Sequence, residues 1–155
     1  KGTCSRIMTT VYGAPITYAS FGDAVAPGQL SMDALINCYR VSELNDGCLV
    51  YGVAGKDVNH SRELEVMNQQ LKKKQLNAVC IPLESLELDE LLVVLEDLKI
   101  KGIQLENPLK EIAIEKFYGS GSFPGTSVFM EISSLNGKQE INIHPISGEK
   151  FVEHL

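Results

Sequence analysis

The chain has 155 residues, about one domain's worth of polypeptide, and 44% of them are apolar, enough for a buried core. The net charge of −6 argues against a nucleic-acid partner, because phosphate binding needs clustered lysine and arginine. No apolar stretch approaches the length that spans a bilayer, so a membrane partner is not expected either. The one basic run, Lys72-Lys73-Lys74, falls late in a predicted helix, where the macrodipole favours cations.

Taken in chain order, residues 4–12 predict a short helix and Pro15-Ile16-Thr17-Tyr18-Ala19 a short strand. Val25-Ala26-Pro27-Gly28-Gln29 is rich in turn formers. Ser31 can cap a helix running to about Leu44, with Leu30 and Leu35 at the positions of a hydrophobic staple. Asn45-Asp46-Gly47 ends that helix and marks a boundary, which divides the chain into residues 1–45 and 46–155.

Beyond the boundary the pattern alternates. Strand 48–54 precedes helix 62–76, and strand 77–83 precedes helix 86–100. The second helix places Leu88, Leu91, Leu92, Leu95 and Leu98 on one face. Gly102 then reads as a C-terminal cap glycine, and residues 102–106 as a third strand. Asn107 caps a further helix with Pro108 at its first position. Two strands follow, about 126–133 and 139–144, joined near the hairpin signal Asn136-Gly137. Repeated strand–helix units imply an α/β fold with a mainly parallel sheet flanked by helices.

The four cysteines form no CxxC pair, so no zinc site is expected. They read as the reduced thiols of a cytosolic protein. Cys80, inside Ala78-Val79-Cys80-Ile81, reads as a small buried hydrophobe. The loop Lys56-Asp57-Val58-Asn59-His60-Ser61 stands between a strand and a helix, where α/β proteins place ligands.

Three segments carry a resemblance: Tyr51-Gly52-Val53-Ala54-Gly55; Asn59-His60-Ser61-Arg62-Glu63-Leu64; and Asn107-Pro108-Leu109-Lys110-Glu111. With them, Cys48 to about His144 resembles the substrate-binding N-terminal domain of shikimate dehydrogenase, whose pattern is strand, Gly, His-Ser-x-Ser-Pro and a later Pro-x-Lys. Met67-Asn68 falls where that family often has His-Asn. Ser5-Arg6 and Ala26-Pro27-Gly28-Gln29, with the helix after them, resemble the C-terminal end of type I 3-dehydroquinate dehydratase, a (β/α)8 barrel. The two activities are fused in this order in bifunctional shikimate-pathway enzymes. The resemblance therefore implies a junction: terminal elements of a (β/α)8 barrel in residues 1–45, then a dehydrogenase substrate domain in 46–155.

For the site, the resemblance implies Arg6 as a carboxylate ligand and Gln29 as part of a closing loop on the dehydratase side. On the dehydrogenase side it implies Lys110 as the catalytic lysine and Ser61 as a substrate-binding hydroxyl, with shikimate or dehydroshikimate as the small-molecule carboxylate partner. A guanidinium fork suits a carboxylate, and a lysine in the first turn of a helix opposes the macrodipole, a placement that hints at function. Other positions depart from the family. Glu63 stands in place of the second carboxylate-binding serine, Glu106 in place of a threonine, and Val128-Phe129 in place of Asn-Thr. The catalytic aspartate has no counterpart near Ile143-His144-Pro145, where Asn142 and His144 are the nearest polar residues. The dehydratase's Schiff-base lysine and histidine are not among these residues. His60 is read as a loop residue and His154 as part of the tail.

NADP is implied for a longer family member but not for this chain. Gly119-Ser120-Gly121-Ser122-Phe123-Pro124-Gly125 is glycine-rich, yet it follows a helix and leads into a strand, which is not a nucleotide-binding unit. Two functions are carried forward. One is a segment of a shikimate-pathway enzyme of aromatic amino acid biosynthesis, inactive in isolation; the other is a degenerate binding or regulatory module without catalysis. Cytoplasm is the expected compartment, or a plastid if a transit peptide has been removed.

Overall fold

The computed structural model describes residues 2–14, 16–21, 29–119, 121–135 and 138–155. A helix α1 (Gly2–Val11) and a π-helical turn (Ala34–Cys38) precede β1 (Leu49–Gly55), α2 (Arg62–Lys73), β2 (Ala78–Glu84), α3 (Leu88–Asp97) and β3 (Gly102–Leu105). Then come α4 (Leu109–Ala113), β4 (Val128–Leu135), β5 (Lys138–His144) and α5 (Gly148–Glu153). The strands make one sheet in the order β2-β1-β3-β4-β5. It is mixed. β1 pairs in parallel with β2 and β3, and β4 is antiparallel to both β3 and β5. The expected α/β architecture with flanking helices is present, and the C-terminal hairpin supplies the antiparallel half. The hairpin residues Asn136 and Gly137, and the Val25–Gly28 part of the turn-rich loop, lie outside the described residues.

The core is built as the periodicity requires. Val53 and Ala54 of β1, Val79 to Ile81 of β2 and Ile103 of β3 are fully buried, as expected for parallel strands covered on both faces. Of the leucine stripe, Leu88, Leu91 and Leu95 are buried and Leu92 and Leu98 pack partly against the same cluster. Each fully buried leucine contributes roughly 2 kcal/mol. Ile7 and Met8 of α1 and Tyr39 belong to that cluster too.

Several local expectations are corrected. Of the expected strand 15–19, residues 16–19 form no strand, and among the described residues no strand pairs with them; Ile16 and Tyr18 are exposed, and the adjoining Ser20 makes a bridge to Ser31. Ser31 does cap its helix, accepting from Ala34 N at 3.1 Å, but the helix stops at Cys38 rather than Leu44. Arg40 ends it in the left-handed region (φ 51°), a conformation that costs a non-glycine residue about 1–3 kcal/mol unless contacts hold it. Asn107 does not cap α4; Pro108 occupies the N-cap position.

Gly102 is not the cap of α3. Lys99 (φ 53°) takes that role, and Ile100 N reaches back to Leu95 O at 3.0 Å in the Schellman manner. Gly102 opens β3 instead, and a β-carbon there would stand 2.5 Å from Cζ of Phe129. Phe129 cannot retreat: it is fully buried and stacked on Phe151 with ring centroids 4.3 Å apart.

The α5 helix went unforeseen. Ser147 caps it through Lys150 N, and the buried Gln104 of β3 accepts from Gly148 N at 2.7 Å. The amide thus anchors the helix start from inside the sheet, a partnership no local pattern announces.

Gly102→Ala is expected to destabilise the chain by about 1–3 kcal/mol through overpacking against Phe129. A lowered urea midpoint with unchanged far-ultraviolet circular dichroism checks this.

Candidate functional site

Two of the sequence candidates leave from neighbouring strand ends. β1 and β3 are parallel neighbours with Ala54 opposite Leu105, and Glu106 N continues the ladder to Ala54 O at 2.8 Å. Past β1, a 3₁₀ turn (Val58–His60) delivers the chain to Ser61 at the start of α2. Past β3, Glu106 O accepts from Lys110 N at 3.1 Å, setting Lys110 in the first turn of α4. Ser61 and Lys110 therefore follow the carboxyl ends of adjacent parallel strands, the position where open α/β sheets bind ligands.

The side chains at this edge are engaged with one another. Ser61 Oγ accepts from Leu64 N at 3.3 Å and donates to Glu63 Oε2 at 3.2 Å, so the hydroxyl is spent on the helix cap and on the carboxylate two residues on. Lys110 Nζ donates to Thr126 O at 3.4 Å, which ties α4 to the loop before β4. Glu106 packs over Gly55, its Cβ 3.0 Å from where a β-carbon on that glycine would stand. Its Oε1 is buried without a hydrogen-bond partner among the described residues. Asn59 Nδ2 donates to Glu84 Oε1 at the end of β2.

Val128 and Phe129 are core residues of β4, both fully buried. His144 Nε2 lies 3.0 Å from Glu131 Oε2, and its ring sits 5.5 Å from that of Phe151.

The dehydratase-side candidates lie elsewhere. Arg6 is half-buried on α1, and its carbonyl accepts from the hydroxyls of Thr9 and Thr10. Gln29 lines a cleft of about 510 Å³ between residues 29–39 and α2, together with Ser31, Asn37, His60, Gln69 and Lys72. Neither Ser61 nor Lys110 borders that cleft. The buried Arg40, Asn68 and Gln104 have structural partners that sequence spacing does not reveal. Their one visible signal is a lone polar residue inside or beside an apolar run.

All four cysteines are free thiols. Burial pushes each of them above the ordinary thiol range, Cys80 furthest, and pushes Tyr39 and Tyr51 up as well. Among the described residues, no group of three or more His, Cys, Asp or Glu is placed to hold a metal ion. Among the described residues, no helix is long and apolar enough to cross a membrane.

Residues 1–46 match the family model of type I 3-dehydroquinase. The bifunctional 3-dehydroquinate dehydratase/shikimate dehydrogenase, chloroplastic, of Arabidopsis thaliana is 29% identical over 117 residues, 74% of this chain and 19% of the relative. That share exceeds the 109 residues left after residue 46 (155 less 46), so the similarity crosses from one part of the chain into the other. The homologues of this chain are shikimate-pathway enzymes. Another, the shikimate biosynthesis protein AroDE of Chlamydia pneumoniae, is 31% identical over 113 residues, 70% of this chain and 24% of its own. Among solved structures, a shikimate dehydrogenase in complex with NADP+ superposes with a TM-score of 0.47 at 25% identity, covering 62% of this chain and 34% of that one. The chain spans about a fifth to a quarter of the curated shikimate-pathway relatives it matches.

Ser61→Ala is expected to cost about 1 kcal/mol of stability, the worth of a lost N-cap, read as a lower urea midpoint. The raised thiols fix a pH dependence. The unfolded thiols ionise near their ordinary value of 9.0 while the folded ones stay protonated. The unfolded chain therefore releases protons first, and stability, fully present below that pH, falls as pH rises through it. Urea midpoints measured from neutral to alkaline pH check the sign, and Cys80→Ala should flatten the slope.

Proposed function

We propose that this chain is the junction segment of a bifunctional enzyme that dehydrates 3-dehydroquinate and interconverts 3-dehydroshikimate and shikimate with NADP, and that these residues alone catalyse neither reaction. The similarity to one fused relative that runs through residue 46 carries this reading. Residues 1–45 would be the end of the dehydratase-like part and 46–155 the substrate-binding part of the dehydrogenase. In the longer protein, Lys110 would handle the proton at the substrate hydroxyl and Ser61 would bind the substrate; Arg6 and Gln29 would serve the dehydratase substrate. The position of Ser61 and Lys110 at adjacent strand ends supports the first pair.

NADP supplies or accepts the hydride in such an enzyme. The described residues do not fit it: the glycine-rich stretch follows the π-helical turn at Ile114–Tyr118 and runs into the antiparallel β4, whereas a dinucleotide site needs a strand, a tight turn and a helix. The cofactor therefore falls to other parts of the longer protein. Cytoplasm or plastid is the proposed compartment, the latter in keeping with the chloroplastic relative.

A second reading, a degenerate binding module, draws on Glu63, Glu106 and Phe129. The first engages the Ser61 hydroxyl, the second adds a carboxylate at the same edge, and the third fills with core packing a position where the family has a polar side chain. Like charges at this edge disfavour a carboxylate ligand.

Isothermal titration with shikimate separates the two readings. The unaltered chain is expected to bind weakly or not at all. Glu63→Ser together with Glu106→Thr should bring binding into the measurable range, and Lys110→Ala in that background should weaken it again. Micromolar binding by the unaltered chain would overturn the degenerate reading and return Ser61 and Lys110 to working roles.

A further inference from the structure

β2 lies at the edge of the sheet, yet Ala78 through Leu83 are buried. A buried edge strand must have its outward polar groups satisfied by something other than water or another strand. Which groups face outward follows from the ladder. Leu49 N bonds to Asn77 O at 3.0 Å and Ser85 N to Gly55 O at 3.0 Å, so residues 77, 79, 81, 83 and 85 turn toward β1. Ala78, Cys80 and Pro82 turn away.

Several of the outward groups have side-chain partners. Arg40 Nη2 donates to Leu76 O at 3.1 Å and to Ala78 O at 3.0 Å. Asn68 Nδ2 donates to Cys80 O at 2.9 Å, and Asn68 Oδ1 accepts from Cys80 N at 3.0 Å. Pro82 has no N–H to leave unpaired. Arg40 is itself only 5% exposed, is held in a left-handed conformation, and pairs with Glu43 at 3.3 Å. Just before β2, Asn77 accepts from Asn45 N at 3.1 Å and donates to the Asn45 side chain at 2.6 Å. Arg40, Glu43 and Asn45 all belong to the stretch that matches the dehydroquinase family.

We infer that residues 34–46 act as a clamp on the outer edge of β2, so that the dehydroquinase-like stretch and the sheet open as one unit. The core supports this. α1 packs against β2, and Ile7, Met8 and Tyr39 belong to the same hydrophobic cluster as Val79 and Cys80, so α1 and the clamp are expected to uncover part of β2 if they leave. The boundary that similarity draws at residue 46 then lies inside a folding unit rather than between two.

The test uses the full chain and Arg40→Met, which keeps the apolar stem and removes the guanidinium. In the unaltered chain, native-state hydrogen exchange at low denaturant should release the amides of Ile7 and Met8 and those of Val79 and Ile81 through one common opening. In Arg40→Met, both sets should exchange about tenfold faster or more. Unchanged β2 protection in the variant overturns the inference. If the variant fails to fold, the unaltered chain decides. Release of Ile7 and Met8 well before Val79 and Ile81 would show the two parts opening separately and would refute the clamp; release together supports it.

Discussion

A strand buried at the rim of a sheet has polar groups that neither water nor a neighbouring strand can satisfy, and the arrangement of this molecule follows from that demand at β2. The parallel ladder fixes which residues face outward, and three different devices answer them: a guanidinium, a carboxamide and a proline. Asn68 joins α2 to β2 with two hydrogen bonds, so the crossover helix takes its position from the strand edge as well as from its apolar face. Arg40 brings the preceding part of the chain against the same edge. The strained backbone at Arg40 is held by these contacts, because releasing it would leave two carbonyls unpaired.

The opposite, antiparallel half of the sheet is organised by a different polar group. Gln104, in the central strand β3, accepts from the first N–H of α5, while Phe129 and Phe151 stack beside it. Phe129 lies close against Gly102, so the same ring that fills the core also dictates a glycine at the start of β3. A position where the dehydrogenase family is expected to carry a polar side chain is here part of that packing.

At the carboxyl ends of β1 and β3 the polar side chains are engaged by nearby backbone and side-chain groups. Ser61 caps its own helix and holds Glu63, Lys110 holds a loop carbonyl, and Glu106 buries an oxygen with no partner among the described residues. A buried polar atom without a partner is costly, so Glu106 is the residue at this edge least explained by stability. The segments that follow these strand ends carry Asp57, Glu63, Glu84 and Glu106 together with Lys56, Arg62 and Lys110.

The sequence by itself determined the strand–helix alternation, the leucine face of α3, the cap at Ser31 and the kinship of both halves, because these rest on local periodicity and on short motifs that survive divergence. It misassigned Gly102 and the strand at 16–19, and it gave no sign of α5. For two of these the deciding partner is remote in the chain, Phe129 for Gly102 and Gln104 for the start of α5, and among the described residues no strand pairs with 16–19. Lys110 and Ser61 could be named from a motif, but only the parallel pairing of β1 with β3 sets them at adjacent strand ends. Likewise Arg40 is an unremarkable arginine in the sequence. It becomes the cover of β2 only when the ladder parity turns Ala78 outward, and parity is a property of paired strands that no single strand carries.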